Sequence, residues 1–273
     1  MQKKNLTPPA NIIIHGDALD LLRHVPDNSV DLVVCDGPYG MAKDEWDKTP
    51  GGVQNFNLKL IGMFSQKMKL GGALYLFGKQ DCVDFVDYRP YLSLKRKIIW
   101  YQPGRLSQGR INYTNNYDLI CYFVKNKKPK TFNLDDIRVP QLVELDQRRR
   151  CENVPSVKNG KYRKTKFCPN GKNPGDVWGD IKQLTYKSKE LVDRSALNTI
   201  QKPEKLMERI ILASTKKGDM VLDPFAGTGT CPAVCLKLRR RFIAFEINRR
   251  LVNRANKRIE ILRPQPEGGR GDV

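Results

Sequence analysis

VLDPFAGTGT, residues 221–230, is an apolar run that enters a turn holding Gly227 and Gly229. It reads as the end of a β-strand followed by a tight turn into a helix. Without a Cβ at either glycine, the backbone there can approach a ligand closely. The turn lacks the full dinucleotide fingerprint and has no Lys after its second glycine, which argues against a Walker phosphate loop. Downstream, Thr230 to Leu238 reads as a helix, and Arg241 to Phe245 as a strand ending at Glu246. Glu246 follows the glycines by about 20 residues, where an acid can accept hydrogen bonds from both hydroxyls of a ribose. Strand, glycine turn, helix, strand and acid together read as a nucleoside-binding half of an α/β domain.

A second polar strand end precedes this one. VDLVVCDGPYG, residues 30–40, closes an apolar run with Asp36, Gly37, Pro38 and Tyr39. A parallel sheet places ligands outside the carboxyl ends of its strands, so the two corners can face one crevice. An acid, a small residue, a Pro and an aromatic suit a planar amino group stacked on a ring. The exocyclic nitrogen of adenine or cytosine is a poor nucleophile, because its lone pair is delocalised into the base. Acceptors aimed at its hydrogens, here the Asp36 carboxylate and the Gly37 carbonyl, favour positive charge building on nitrogen during attack. Tyr39 offers a face for stacking, worth roughly 1–3 kcal/mol per base. The plainer alternative is a Gly- and Pro-rich β-turn whose Asp caps a neighbour; the glycine corner downstream is what favours chemistry.

On these residues the chain resembles the β-class amino-methyltransferases of DNA, which use S-adenosylmethionine. Asp36 to Tyr39 stand at the place of the family's DPPY motif, and Asp223 to Thr230 at that of its cofactor loop. The opening Ile14-His15-Gly16-Asp17-Ala18-Leu19 and Thr199-Ile200-Gln201-Lys202-Pro203 before a helix belong to the same resemblance. Asn170-Gly171-Lys172 to Val177-Trp178 is similar to the branch that includes the MboII adenine methyltransferase. In this class the catalytic motif precedes the cofactor loop, with target recognition between them. The resemblance implies a Rossmann-like α/β sheet with helices on both faces and this circularly permuted motif order.

It also implies site residues. Asp36, Gly37, Pro38 and Tyr39 are the catalytic group. Asp17, Ala18, Asp36, Lys202, Asp223, Phe225, Ala226, Gly227, Thr228, Gly229, Thr230 and Glu246 surround S-adenosylmethionine, with Asp17 and Ala18 near the adenine and Lys202 near the methionine moiety. Duplex DNA is the implied partner; a homodimer and a cognate restriction endonuclease are left open. Asp at the first motif position favours adenine N6 as the target, with cytosine N4 as the alternative.

One position departs from the family. Gly37 stands where the family carries Pro. The carbonyl used there is kept, whereas the fixed φ of Pro is lost. The expectation is a site chemically complete but less preorganised, and a weakly active or non-catalytic DNA-binding homologue is the alternative.

Charge points to the partner. The 273-residue chain has 49 Lys and Arg against 29 Asp and Glu, a net +20. Between Lys125 and Arg194 there are 18 cations against nine acids. Arg148, Arg149, Arg150, Lys161, Arg163, Lys164 and Lys166 are the candidate DNA contacts, since such runs neutralise phosphates and release counterions. Tyr162, Phe167, Trp178 and Tyr186 are interleaved with these charges, where they can wedge or stack on bases or pack a small core. Seven cysteines without a CxxC pair read as reduced structural thiols, and two histidines leave little material for a metal. No apolar run approaches a membrane span and the start lacks a hydrophobic signal core, so a cytoplasmic protein acting on cellular DNA is expected.

The expected organisation is one methyltransferase domain. Its catalytic half is residues 1–124, its target-recognition insert 125–196 and its cofactor half 197–262, followed by a flexible tail at 263–273. Strands are expected at Asn11 to His15, Val30 to Cys35, Ala73 to Phe77, Lys97 to Tyr101, Leu119 to Val124 and Met220 to Asp223. Helices are expected at Ala18 to His24, Asn57 to Lys69 (ended by Gly71 and Gly72) and Pro203 to Ser214.

Overall fold

The computed structural model describes residues 10–40, 49, 51–105, 113–141, 155–158, 161–164, 170–192 and 201–263, with the segments at 155–158 and 161–164 given by their backbone. Ten strands form an eight-stranded sheet and a separate hairpin. In chain order the strands are β1 (Ile12–His15), β2 (Val30–Cys35), β3 (Met68–Gly78), β4 (Ser93–Tyr101), β5 (Tyr117–Val124), β6 (Pro155–Lys158), β7 (Lys161–Lys164), β8 (Val177–Trp178), β9 (Met220–Asp223) and β10 (Arg241–Glu246). The helices are α1 (Ala18–Leu21), α2 (Val53–Lys67), α3 (Glu204–Ser214), α4 (Thr230–Lys237) and α5 (Arg249–Leu262).

The large sheet runs β1-β10-β9-β2-β3-β5-β4-β8. The pairs from β1 through β3 are parallel, whereas β5 is antiparallel to both β3 and β4. Every residue of β2 and β9 is buried, as expected of central parallel strands covered on both faces. One face packs Leu206, Ile210, Val234, Val252 and Ile259 from α3, α4 and α5; the other packs Leu22, Leu60, Ile61 and Phe64. The expected Rossmann-like sheet with helices on both faces is therefore present. The chain leaves β9 through α4 toward β10, and leaves β2 through α2 toward β3, in the opposite direction. The sheet reverses its winding between β9 and β2, the place where such folds bind ligands.

Several elements differ from expectation. The helix expected over Ala18 to His24 is one α-turn followed by a 3-10 turn at Leu22–His24. The second helix begins at Val53 rather than Asn57, and Gly71 and Gly72 do not end it but lie inside β3. The β2–β3 register jumps from Val30↔Met68 to Leu32↔Ala73, so the glycines form a bulge. Gly71 has φ +77°, and a Cβ there would meet the Lys130 amide nitrogen at 2.8 Å. Its bonds to Lys125 O and from Lys130 N, each 2.8 Å, tie the bulge to the segment after β5.

Residues 125–196 are not all apart from the sheet. Strand β8 pairs with β4 as its outer member, and Trp178 is buried with the Arg209 guanidinium 5.1 Å from its ring centre. Tyr186 is exposed. Among the described residues no helix is long and apolar enough to cross a membrane.

Candidate active site

Strands β2 and β9 lie side by side, with Leu32 opposite Val221 and Val33 opposite Leu222. Three residues beyond those pairs come Asp36 and Phe225, so both corners emerge at the same sheet end. They touch: a Cβ on Gly37 would sit 3.0 Å from Cε2 and 3.2 Å from Cδ2 of Phe225.

The Asp36 carboxylate is held from two directions. The Tyr39 hydroxyl donates to Oδ1 at 2.6 Å. The Lys202 ammonium donates to Oδ1 at 2.9 Å and Oδ2 at 2.7 Å, and lies 3.3 Å from the Tyr39 oxygen. Lys202 is 5% exposed, with its Nζ 5.5 Å from the ring centres of Tyr39 and Phe77. Burial, reinforced by Asp36, pushes the Tyr39 hydroxyl well above its usual range, so it stays a proton donor. Lys202 is fixed by its neighbours in sequence. Gln201 accepts from the Val192 amide and donates to the Glu190 carbonyl, and Glu190 accepts from the first amide of α3. Pro203 then opens the helix, where a missing N–H costs nothing.

On the glycine side, burial pushes the Asp223 carboxyl up to about 8, with Asp36 and Glu246 adding to the effect and the Phe225 amide opposing it. Its Oδ1 accepts from that amide at 3.1 Å. Glu246 accepts from Gly227 N through Oε2 and from Asn248 N through Oε1, each at 2.8 Å. Burial raises its carboxyl too. The two glycines have different work. Gly227, at φ +53°, turns its amide onto Glu246. Gly229, at φ +76°, caps α4 and faces Ala255 of α5; a Cβ there would lie 2.8 Å from the Ala255 Cβ. Helix packing, rather than the approach of a ligand, is what requires glycine at 229.

The remaining expected residues scatter around this core. Ala226, Thr228, Thr230 and Pro38 are buried. Arg258 reaches from α5 to the Thr228 carbonyl (3.3 Å) and the Thr230 hydroxyl (3.1 Å), and pairs with Glu204 at 2.7 Å. Asp17 caps α1 through the Leu19 amide at 2.7 Å, next to buried Ala18. The preceding Gly16 amide bonds Glu246 O at 3.0 Å, which brings that turn to the end of β10. Of the basic candidates, Lys161, Arg163 and Lys164 lie on β7, opposite Lys158, Ser156 and Pro155 of β6. Arg148, Arg149, Arg150 and Lys166, together with Thr199 and Ile200, fall outside the described residues.

Two features escaped the sequence reading. Asp118 accepts from Gln102 Nε2 at 3.1 Å and pairs with Arg105 at 2.8 Å. Both of those charges act on the Tyr39 hydroxyl, Asp118 raising it and Arg105 lowering it. An acid at the start of the apolar run YDLICYFV was the available signal. The second is α5 itself, which braces the turn from Asp223 to Thr230 through Ala255 and Arg258.

Two raised carboxyls beside a backbone-lined turn suit a ligand that brings positive charge, and a sulfonium with an ammonium does so. The donor set therefore fits S-adenosylmethionine. Among the described residues no group of three or more His, Cys, Asp or Glu could hold a metal ion.

The fold and this crevice define a Rossmann-like methyltransferase, and residues 30–257 match the model of the N6/N4 DNA methylases. The chain belongs to that family of S-adenosylmethionine-dependent DNA methyltransferases. It is 33% identical over 265 residues to the DNA adenine methyltransferase YhdJ of Escherichia coli (strain K12), covering 92% of this chain and 83% of the relative. It is 32% identical over 254 residues to the type II methyltransferase M1.MboII of Moraxella bovis, covering 90% and 95%. The crystal structure of an M1.HpyAVI–SAM complex superposes with a TM-score of 0.59 at 22% identity, covering 91% of this chain and 98% of that one.

Proposed function

We propose that this protein transfers a methyl group from S-adenosylmethionine to the N6 amino group of adenine within a specific sequence of duplex DNA, after extruding the base. The observation that carries this is the Asp36 corner set against the Phe225 turn on adjacent parallel strands. An amino nitrogen held at Asp36 and a methyl donor held beside Gly227 then meet with little motion, and alignment is most of what such a transfer needs. The cofactor supplies a methyl group already made electrophilic by its sulfonium.

The protein supplies the rest. Extrusion is required because the amino nitrogen is paired inside the duplex, and it costs a few kcal/mol. Stacking on Tyr39 and hydrogen bonds to the base edge offset that cost. Asp36 and the Gly37 carbonyl accept the two amino hydrogens, so positive charge on nitrogen is stabilised as the new N–C bond forms and the C–S bond breaks. The extra proton then leaves the nitrogen for water, and the cofactor departs as the neutral thioether S-adenosylhomocysteine. Asp17, Ala18, Glu246 and the loop from Asp223 to Thr230 hold the cofactor. Arg148, Arg149, Arg150, Lys161, Arg163, Lys164 and Lys166 track the phosphates from an insert between the catalytic and cofactor halves.

Adenine is favoured by Asp36 heading the motif and by the likeness to an adenine methyltransferase. Cytosine N4 is the second reading, because the family includes enzymes for both targets. Likeness to a type II methyltransferase supports a cognate restriction endonuclease as partner. Mapping modified bases in DNA from cells that express the protein decides the target. In the same assay Asp36→Ala is expected to abolish methylation while the purified variant still binds cofactor. Substantial residual methylation in that variant would remove Asp36 from the proposed role.

A further inference from the structure

Asp36 is the acceptor on which the proposed transfer depends, yet most of its acceptor sites are already engaged. Oδ1 receives both the Tyr39 hydroxyl and Lys202, and Oδ2 receives Lys202. A carboxylate offers roughly four lone-pair sites, and hydrogen bonds to an ammonium are roughly twice as strong as neutral ones. A neutral amino group arriving from a base finds one open site, on Oδ2, of a carboxylate whose charge Lys202 already neutralises, and is held weakly while Lys202 stays in place. Lys202 cannot simply step aside. At 5% exposure its ammonium would be a buried unpaired charge, which is strongly destabilising. It can leave Asp36 only for another anion within the crevice. Asp223 and Glu246 are poor hosts, since both carry raised carboxyls and already accept backbone amides. The anion that the family resemblance places beside Lys202 is the amino-acid carboxylate of the cofactor.

We propose that Lys202 couples the two ligands: it caps Asp36 until a cofactor carboxylate draws it away, and only then does Asp36 accept the target amino group. Lys202 is thus a positioning residue that acts through Asp36. This rests on the function proposed above. It makes base capture depend on cofactor, and by linkage makes cofactor bind more tightly when the base is extruded. A plain structural ion pair, which only ties the Pro38–Tyr39 loop to the start of α3, predicts neither.

The test uses the full chain and a duplex that keeps adenine at the mapped target position and carries 2-aminopurine beside it, whose fluorescence rises when its neighbour leaves the stack. Sinefungin is an unreactive cofactor analogue with the amino-acid end, and 5′-methylthioadenosine lacks that end. In the wild type, sinefungin is expected to increase extrusion by about 10-fold or more, and methylthioadenosine to leave it near the ligand-free level. In Lys202→Met the base is expected to be extruded without any analogue, with the sinefungin effect reduced to about 1-fold. Lys202→Arg is expected to keep the dependence, and a thermal melt of each variant verifies folding. Undiminished coupling in Lys202→Met, or equal promotion by methylthioadenosine, overturns the proposal while leaving the function intact. No extrusion by the wild type under any condition overturns the function as well.

Discussion

Asp223 is a carboxyl whose charge the fold disfavours. Burial, with Asp36 and Glu246 nearby, raises it to about 8, against about 3.9 in an unfolded chain. The folded state therefore binds the extra proton, and the associated stability is full below about pH 4 and is lost as pH rises toward about 8. The ligand-free protein is expected to melt at a lower temperature at pH 8 than at pH 6, and Asp223→Asn, which keeps the acceptor for the Phe225 amide, to flatten that slope. A cationic cofactor reverses the preference, so its binding at pH 7 should release protons, which calorimetry in buffers of different ionisation enthalpy detects; proton uptake would contradict the assignment. Gly37 poses a different question. Its φ lies outside the left-handed region, so Pro is not excluded by glycine-only backbone strain. Stiffening the turn would contribute about 0.4–1 kcal/mol. The new Cβ would press on Phe225 at 3.0 Å, and overpacking of that kind typically costs about 1–3 kcal/mol. The second effect is larger. Gly37→Pro is therefore expected to turn over no faster than wild type, with Phe225→Leu in the same chain restoring the loss. A faster single variant would show that stiffness, not packing, limits this corner.

At the scale of elements, the strands that build the crevice were legible because they are short, fully apolar and end in punctuation. VLDPFAGTGT and VDLVVCDGPYG lie on adjacent strands, which is why two motifs far apart in sequence come together at one sheet end. What failed was wherever a glycine or a charge answers to a distant partner. Gly71 and Gly72 look like a helix stop, and only the Lys125 and Lys130 backbone shows them to be a bulge. Gly229 looks like ligand clearance until Ala255 of α5 is seen against it. Helix α5 carried its own signal in Asn248 as a cap and in Val252, Ala255 and Ile259 along one face, but five cations in fourteen residues hide that stripe. The Lys202–Asp36 pair joins residues 166 positions apart, and no local pattern reports such a contact. Legible residue types thus pointed to the candidate site, whereas the state in which Asp36 is held had to be read from coordinates.

For the molecule as a whole, the question is whether its net charge of +20 is a uniform coat or a track for DNA. The crevice opens at the carboxyl ends of β2 and β9, so a duplex presenting an extruded base must lie on that side of the sheet. Lys216 and Lys217 are exposed between α3 and the start of β9, at the opposite end of the strand. If phosphates are contacted only on the crevice side, cations at the two ends will have different effects on salt dependence. Each phosphate neutralised contributes a slope of about −0.9 to log affinity against log salt. Replacing Arg148, Arg149 and Arg150 with Ala is thus expected to make the slope shallower by up to about 3 and to weaken binding on any sequence. The double change of Lys216 and Lys217 to Ala is expected to leave the slope within about 0.5 of wild type. Titration of a labelled duplex across a range of salt concentrations reads both. Equal losses per charge from the two variants would mean that the excess charge serves solubility or non-specific attraction over the whole surface, and that the insert holds no privileged path for the backbone.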